Sequence, residues 1–148
     1  ADHANDKFKW EIFLLAGNPK VHANNNAGSK NINTDNMFNS PDGIGFDSRG
    51  GLWIQSDGNY SNKGDYEGQG NNSMLYADPQ TGKVKRFLVG PIGCEITGLC
   101  FSTDKKTMFV GVQHPGEDSS GSHFPGAKDS IPRSSVIAVS KKDNRAFL

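Results

Sequence analysis

Apolar and polar residues alternate along this chain in short runs, and the runs are separated by long polar stretches. Phe8, Trp10, Ile12 and Leu14 alternate with Lys9, Glu11 and Phe13, which predicts a strand over residues 8–15, ended by Gly17-Asn18-Pro19. Further strands are predicted at Ile44–Phe46, Leu52–Gln55, Met74–Ala77, Lys83–Val89, Leu99–Phe101, Met108–Val112 and Ser135–Val139. Asp47–Gly51, Asp78–Gly82 and Asp104–Lys106 have the Asp, Gly and Pro content of tight turns. No segment shows sustained helical periodicity, so the expected class is all-β, with about eight strands. Residues 20–39, 57–72 and 113–132 are expected as long polar loops, the kind that carry function when a compact domain keeps them.

The pattern also repeats. Asp42-Gly43-Ile44 answers to Thr97-Gly98-Leu99, Phe46 to Phe101, and Leu52-Trp53-Ile54 to Met108-Phe109-Val110, with one extra residue in the second turn. A recurrence of about 55 residues is what radial β-blades produce. The expected architecture is therefore a partial β-propeller over residues 1–148. Residues 8–15 would be the outer strand of a preceding blade, 43–89 a full four-stranded antiparallel blade and 96–139 an incomplete one. Two blades and a strand cannot close a ring, so open edges are expected. The repeat also aligns Asp57-Gly58 with Gln113-His114, placing both at the same end of neighbouring blades.

Composition narrows the function. Sixteen basic and sixteen acidic residues cancel, and no basic stripe is visible, which argues against nucleic-acid binding. No run is long enough for a membrane span. The 148 residues include 18 glycines and only 34 % apolar residues, the profile of short strands joined by polar turns. The polar opening Ala1-Asp2-His3-Ala4-Asn5-Asp6 reads as part of a larger protein. Cys94 and Cys100 lie too far apart along an extended strand for a disulfide, so buried free thiols are expected.

Candidate chemistry gathers at the predicted blade starts. Glu95 begins an innermost strand, where a carboxylate must be paired or coordinate a cation. Asp42 holds the equivalent place one blade earlier, although Asp before Gly is also a common turn residue. Asp57, with the Asn and acidic residues around it, adds oxygen ligands of the kind that suit calcium. His114 is a candidate ligand or acid–base group. His123 and Arg133 flank a Pro-containing loop, and an Arg there would suit a phosphate. No Gly-rich phosphate loop, nucleophile triad or paired-cysteine metal motif is present. These residues alone leave open a hydrolase, a calcium- or ligand-binding propeller without catalysis, and a structural domain whose blade edges pair with another chain.

Ordered strings carry a resemblance. Ser-Pro-Asp-Gly-Ile-Gly-Phe-Asp at 40–47, Leu-Trp-Ile-Gln-Ser-Asp-Gly at 52–58 and Gly-Asn-Asn at 70–72 are followed by Arg-Phe-Leu-Val-Gly-Pro-Ile-Gly-Cys-Glu-Ile-Thr-Gly at 86–98 and Met-Phe-Val-Gly-Val-Gln-His-Pro-Gly-Glu at 108–117. Together, over residues 8–139, they resemble the C-terminal part of the PhoX-type alkaline phosphatases. The resemblance implies a six-bladed propeller with iron and calcium in its channel, hydrolysis of small phosphate monoesters, and periplasmic or secreted location after twin-arginine export. It implies that Glu95 is a metal ligand. Asp42, Asp57 and His114 come over as members of matching strings. It also implies that the iron-ligating cysteine lies in N-terminal segments absent here and is not Cys94, so this chain needs the rest of its parent propeller and is expected to be inactive alone.

Overall fold

The computed structural model describes residues 4–21, 31–118 and 121–147. It is all-β, with seven strands among the described residues: β1 (Pro41–Phe46), β2 (Leu52–Ser56), β3 (Ser73–Ala77), β4 (Val84–Val89), β5 (Glu95–Phe101), β6 (Thr107–Gln113) and β7 (Ser135–Ser140). One 3₁₀ turn, Gly64–Tyr66, interrupts the loop before β3. The strands form two antiparallel sheets in sequence order, β1-β2-β3-β4 and β5-β6-β7, and neither sheet closes on itself.

Strand alternation builds two cores. Neighbouring residues of β2 point to opposite faces. Ile54 pairs with Leu75, and these two join Ile32, Met37, Phe38, Ala77 and Val84, with half-buried Phe13 and Leu14 packed on them. Trp53 and Met74 face the second sheet and meet Cys94, Ile96, Met108, Val110 and Val112. The first sheet therefore lies between the N-terminal segment and the second sheet.

The repeated Gly marks the same defect in both sheets. The β1–β2 ladder slips between Pro41 and Ile44, and the β5–β6 ladder slips between Thr97 and Leu99. Gly98 lies in the slip with φ +55°, a conformation that side chains resist. The two slips face each other, and Gln55 of β2 donates from Nε2 to the Gly98 carbonyl at 3.0 Å.

One predicted strand is not formed. Residues 8–15 have no ladder partner among the described residues. Phe8, Trp10 and Ile12 are 84 %, 76 % and 63 % exposed. Alternation specifies which way side chains point, but a strand also needs a neighbour to accept its backbone hydrogen bonds.

Candidate metal centre

Three strand ends converge at one end of the molecule. Asp57 follows the last residue of β2, Glu95 opens β5, and His114 follows the last residue of β6. Because Glu95 pairs with Gln113 across the β5–β6 ladder, the ladder itself brings Glu95 beside His114. His114 Nε2 lies 3.5 Å from Glu95 Oε2. One ligand atom from each of Asp57, Glu95 and His114 lies within 4.8 Å of the others. Glu95 is buried, His114 half-buried and Asp57 exposed, so the group opens to solvent on one side.

Asn72 ties these strand ends together. Its Nδ2 donates to the Gly58 carbonyl at 3.0 Å and to the Cys94 carbonyl at 2.9 Å. Its Oδ1 accepts from Gly58 N at 2.8 Å and from Ser56 Oγ at 3.1 Å. One buried amide, with its donor and acceptor capacity used, thus fixes the residues flanking Asp57 and Glu95. Asp57 itself is anchored through its backbone N–H, which donates to Ser40 O at 3.1 Å. His114 sits at φ +39°, an uncommon conformation for a non-glycine residue, and its N–H donates to Ser134 Oγ at 2.9 Å.

The cleft in front of this group has a volume of about 300 Å³ and is bounded by Asp57, Tyr60, Asn72, Cys94, His114, Glu117 and Asp118. Tyr60 donates to Asp118 Oδ2 at 3.1 Å, joining the loop after β2 to the loop after β6. Burial, with the Asp118 hydrogen bond added to it, raises the Tyr60 phenol above its usual range. Burial likewise pushes the Cys94 thiol up to about 12, and the side chain packs in the second core. Both cysteines are free, and only Cys94 is buried; Cys100 is exposed.

The residues fit a single cation. Bonds of about 2.0–2.5 Å to one ion place its ligand atoms up to about 4–5 Å apart, the spread seen here. His114 Nδ1 is buried with no hydrogen-bond partner among the described residues; Glu117 Oε2, at 3.5 Å, is outside bonding geometry. Two carboxylates and an imidazole are a donor set used by iron and other transition cations, whereas calcium takes six to eight oxygens.

The other candidates fall elsewhere. Asp42, on the slipped part of β1, is exposed and belongs to no metal-ligating group among the described residues. His123 Nδ1 lies 3.2 Å from Ser130 O, and Arg133 uses its backbone N–H on Phe124 O; neither lines the cleft. Sequence reasoning did not single out Asn72 as an organiser, nor Tyr60 and Asp118. The signal for Asn72 was its place in the Gly70-Asn71-Asn72 string just before β3.

Fold and cleft together define an all-β protein with an acidic, histidine-containing site at its strand ends. Residues 1–116 match the family described as alkaline phosphatase PhoX. Among solved structures, Pseudomonas fluorescens PhoX in complex with vanadate, a transition state analogue, is similar with a TM-score of 0.86 and 58 % identity, over 91 % of this chain and 23 % of that one. No curated protein matches. The chain belongs to the alkaline phosphatase PhoX family.

Proposed function

We propose that this chain is part of a metal-dependent phosphatase acting on small phosphate monoesters, and that Asp57, Glu95 and His114 contribute ligands to its metal centre. The convergence of these three side chains carries the reading. Its electrostatics supports it. Asp57, Glu117 and Asp118 line the cleft and Glu95 lies behind it, with His114 the one basic side chain among them. A phosphate dianion is repelled by such a wall unless cations lie between. A bound cation supplies polarisation of the phosphoryl oxygens and compensation of charge as the ester bond breaks. Glu95 and Asp57 hold the cation, and the cross-strand ladder keeps Glu95 against His114. Asn72 sets the spacing between them.

In this reading the sheets at 41–89 and 95–140 are blades of a six-bladed propeller. Iron is the better match to the histidine-containing trio, and calcium to further oxygen ligands. The protein is placed in the periplasm or outside the cell. Among the described residues no helix is long and apolar enough to cross a membrane. Asp42 is assigned no ligand role.

The test is p-nitrophenyl phosphate hydrolysis by the full-length protein, with metal analysis. Glu95→Gln is expected to lower bound metal and to reduce kcat at least a hundredfold, and a chelator is expected to abolish turnover of the parent. Unchanged metal content and rate in Glu95→Gln would remove Glu95 from the centre.

A further inference from the structure

A second cavity, larger than the acidic cleft, opens between the outer parts of the two sheets. It encloses about 530 Å³, within the range of small-molecule pockets, and shares no lining residue with the cleft. Its walls are aromatic. Trp53 meets Tyr76 and Phe87 edge-on at 5.0 Å between ring centroids, and Phe87 meets Phe147 at 6.3 Å. The C-terminal segment is held against it, with Phe147 N donating to Lys105 O at 2.8 Å and Lys141 Nζ to Ala146 O at 2.6 Å. Phe87 remains 38 % exposed, so one ring face is open.

The charge around this cavity is mostly positive. Arg49, Lys85 and Lys141 line it and form no ion pair among the described residues. The single lining carboxylate, Asp47, is already engaged: it accepts from the backbone N–H of Arg49 and of Gly51, each at 2.9 Å, and from Trp53 Nε1 at 3.1 Å. Arg86 directs its guanidinium to the Met37 carbonyl, and Lys141 Nζ is held on Ala146 O and lies 5.4 Å from the Phe147 ring centroid, which leaves Arg49 and Lys85 as the cations the ligand would meet. Aromatic walls with unpaired cations at the mouth match a flat ring bearing an oxyanion, the ring stacking within and the charge meeting the cations.

We propose that this cavity binds a small aromatic oxyanion, of the aryl sulfonate or aryl carboxylate class, at a site separate from the acidic cleft. The probes are 2-naphthalenesulfonate and its neutral counterpart 2-naphthalenesulfonamide, titrated calorimetrically into the full-length protein. The sulfonate is expected to bind several-fold more tightly than the sulfonamide. Arg49→Gln combined with Lys85→Gln is expected to weaken the sulfonate about fivefold and leave the sulfonamide unchanged, since exposed charge pairs are individually weak. Phe87→Ser is expected to weaken both probes. Unchanged sulfonamide binding reports that the double variant keeps the cavity, and p-nitrophenyl phosphate turnover is expected to match the parent. No binding of either probe at millimolar concentration would overturn the proposal, as would equal affinity for the two. Sulfonate affinity unchanged in the double variant would also overturn it by placing the probe away from these cations, and would leave the phosphatase reading intact.

Discussion

At the scale of single residues, Asn72 is the position where fold and site meet. It is 5 % exposed, and its amide joins the end of β2, the loop after it and the start of β5. Asn72→Ala strips the partner from the buried Cys94 carbonyl and from the half-buried Gly58 N–H and carbonyl, and a buried group left unsatisfied costs about 1–3 kcal/mol. We expect the unfolding free energy from urea titration to fall by at least about 1–3 kcal/mol, and metal affinity to fall with it although Asn72 touches no ligand atom directly. A variant with lowered stability and unchanged metal affinity would confine Asn72 to a structural role. The same residue shows what sequence reading reaches. Glu95 was legible because a carboxylate opening an apolar strand is conspicuous, and His114 because the repeat aligned its loop with that of Asp57. Asn72 was not, since an Asn in an Asn-rich loop looks like any other until three chain segments meet on it. Asp42, which answers to Thr97 in the repeat, lies at the ladder slip of β1, exposed and apart from the trio.

At the scale of elements, the paired slips matter most. Alternation located β2, β3, β6 and β7 to within a residue or two: β2, β3 and β6 each have a partner on both sides, and β7, an edge strand, alternates half-buried with exposed positions along its length. It also placed a strand at 8–15, where the pattern was sound and the partner was missing. Gly111 is required by close approach: it pairs with Thr97 beside the second slip, and a Cβ there would lie 2.9 Å from both Thr97 Cγ2 and Thr97 O. The backbone oxygen cannot turn aside, so Gly111→Ala is expected to destabilise by about 1–3 kcal/mol. Because the shift lies two residues from Gln113, it should also disturb the Glu95–His114 approach. A melting temperature within a degree of the parent would show that the ladder absorbs the methyl group.

At the scale of the whole molecule, the seven strands leave apolar side chains facing outward at both ends of the stack. Ile44 and Phe46 on β1 are 66 % and 67 % exposed, and Val136 on β7 is 73 % exposed. Such strips next to unpaired strand edges favour association. The 148-residue chain, prepared alone, is expected to self-associate with rising concentration in sedimentation velocity and to hydrolyse no p-nitrophenyl phosphate above background. A stable monomer with turnover at the full-length rate would show that these sheets form a complete enzyme.

The four hydrogen bonds of Asn72 also bear on how the protein ages. An asparagine is lost slowly when the backbone nitrogen of the next residue attacks its side-chain carbonyl, leaving an aspartate. Here that nitrogen, Ser73 N, is held on Ser56 Oγ at 2.9 Å and lies in a strand, so the attack is blocked while the sheets are together. Heating that opens them removes the protection, and the aspartate then formed has no amide hydrogens for the Cys94 and Gly58 carbonyls. Incubation just below the melting temperature should therefore produce a one-dalton mass gain at residue 72 that tracks an irreversible loss of bound metal, whereas cold storage should leave both unchanged.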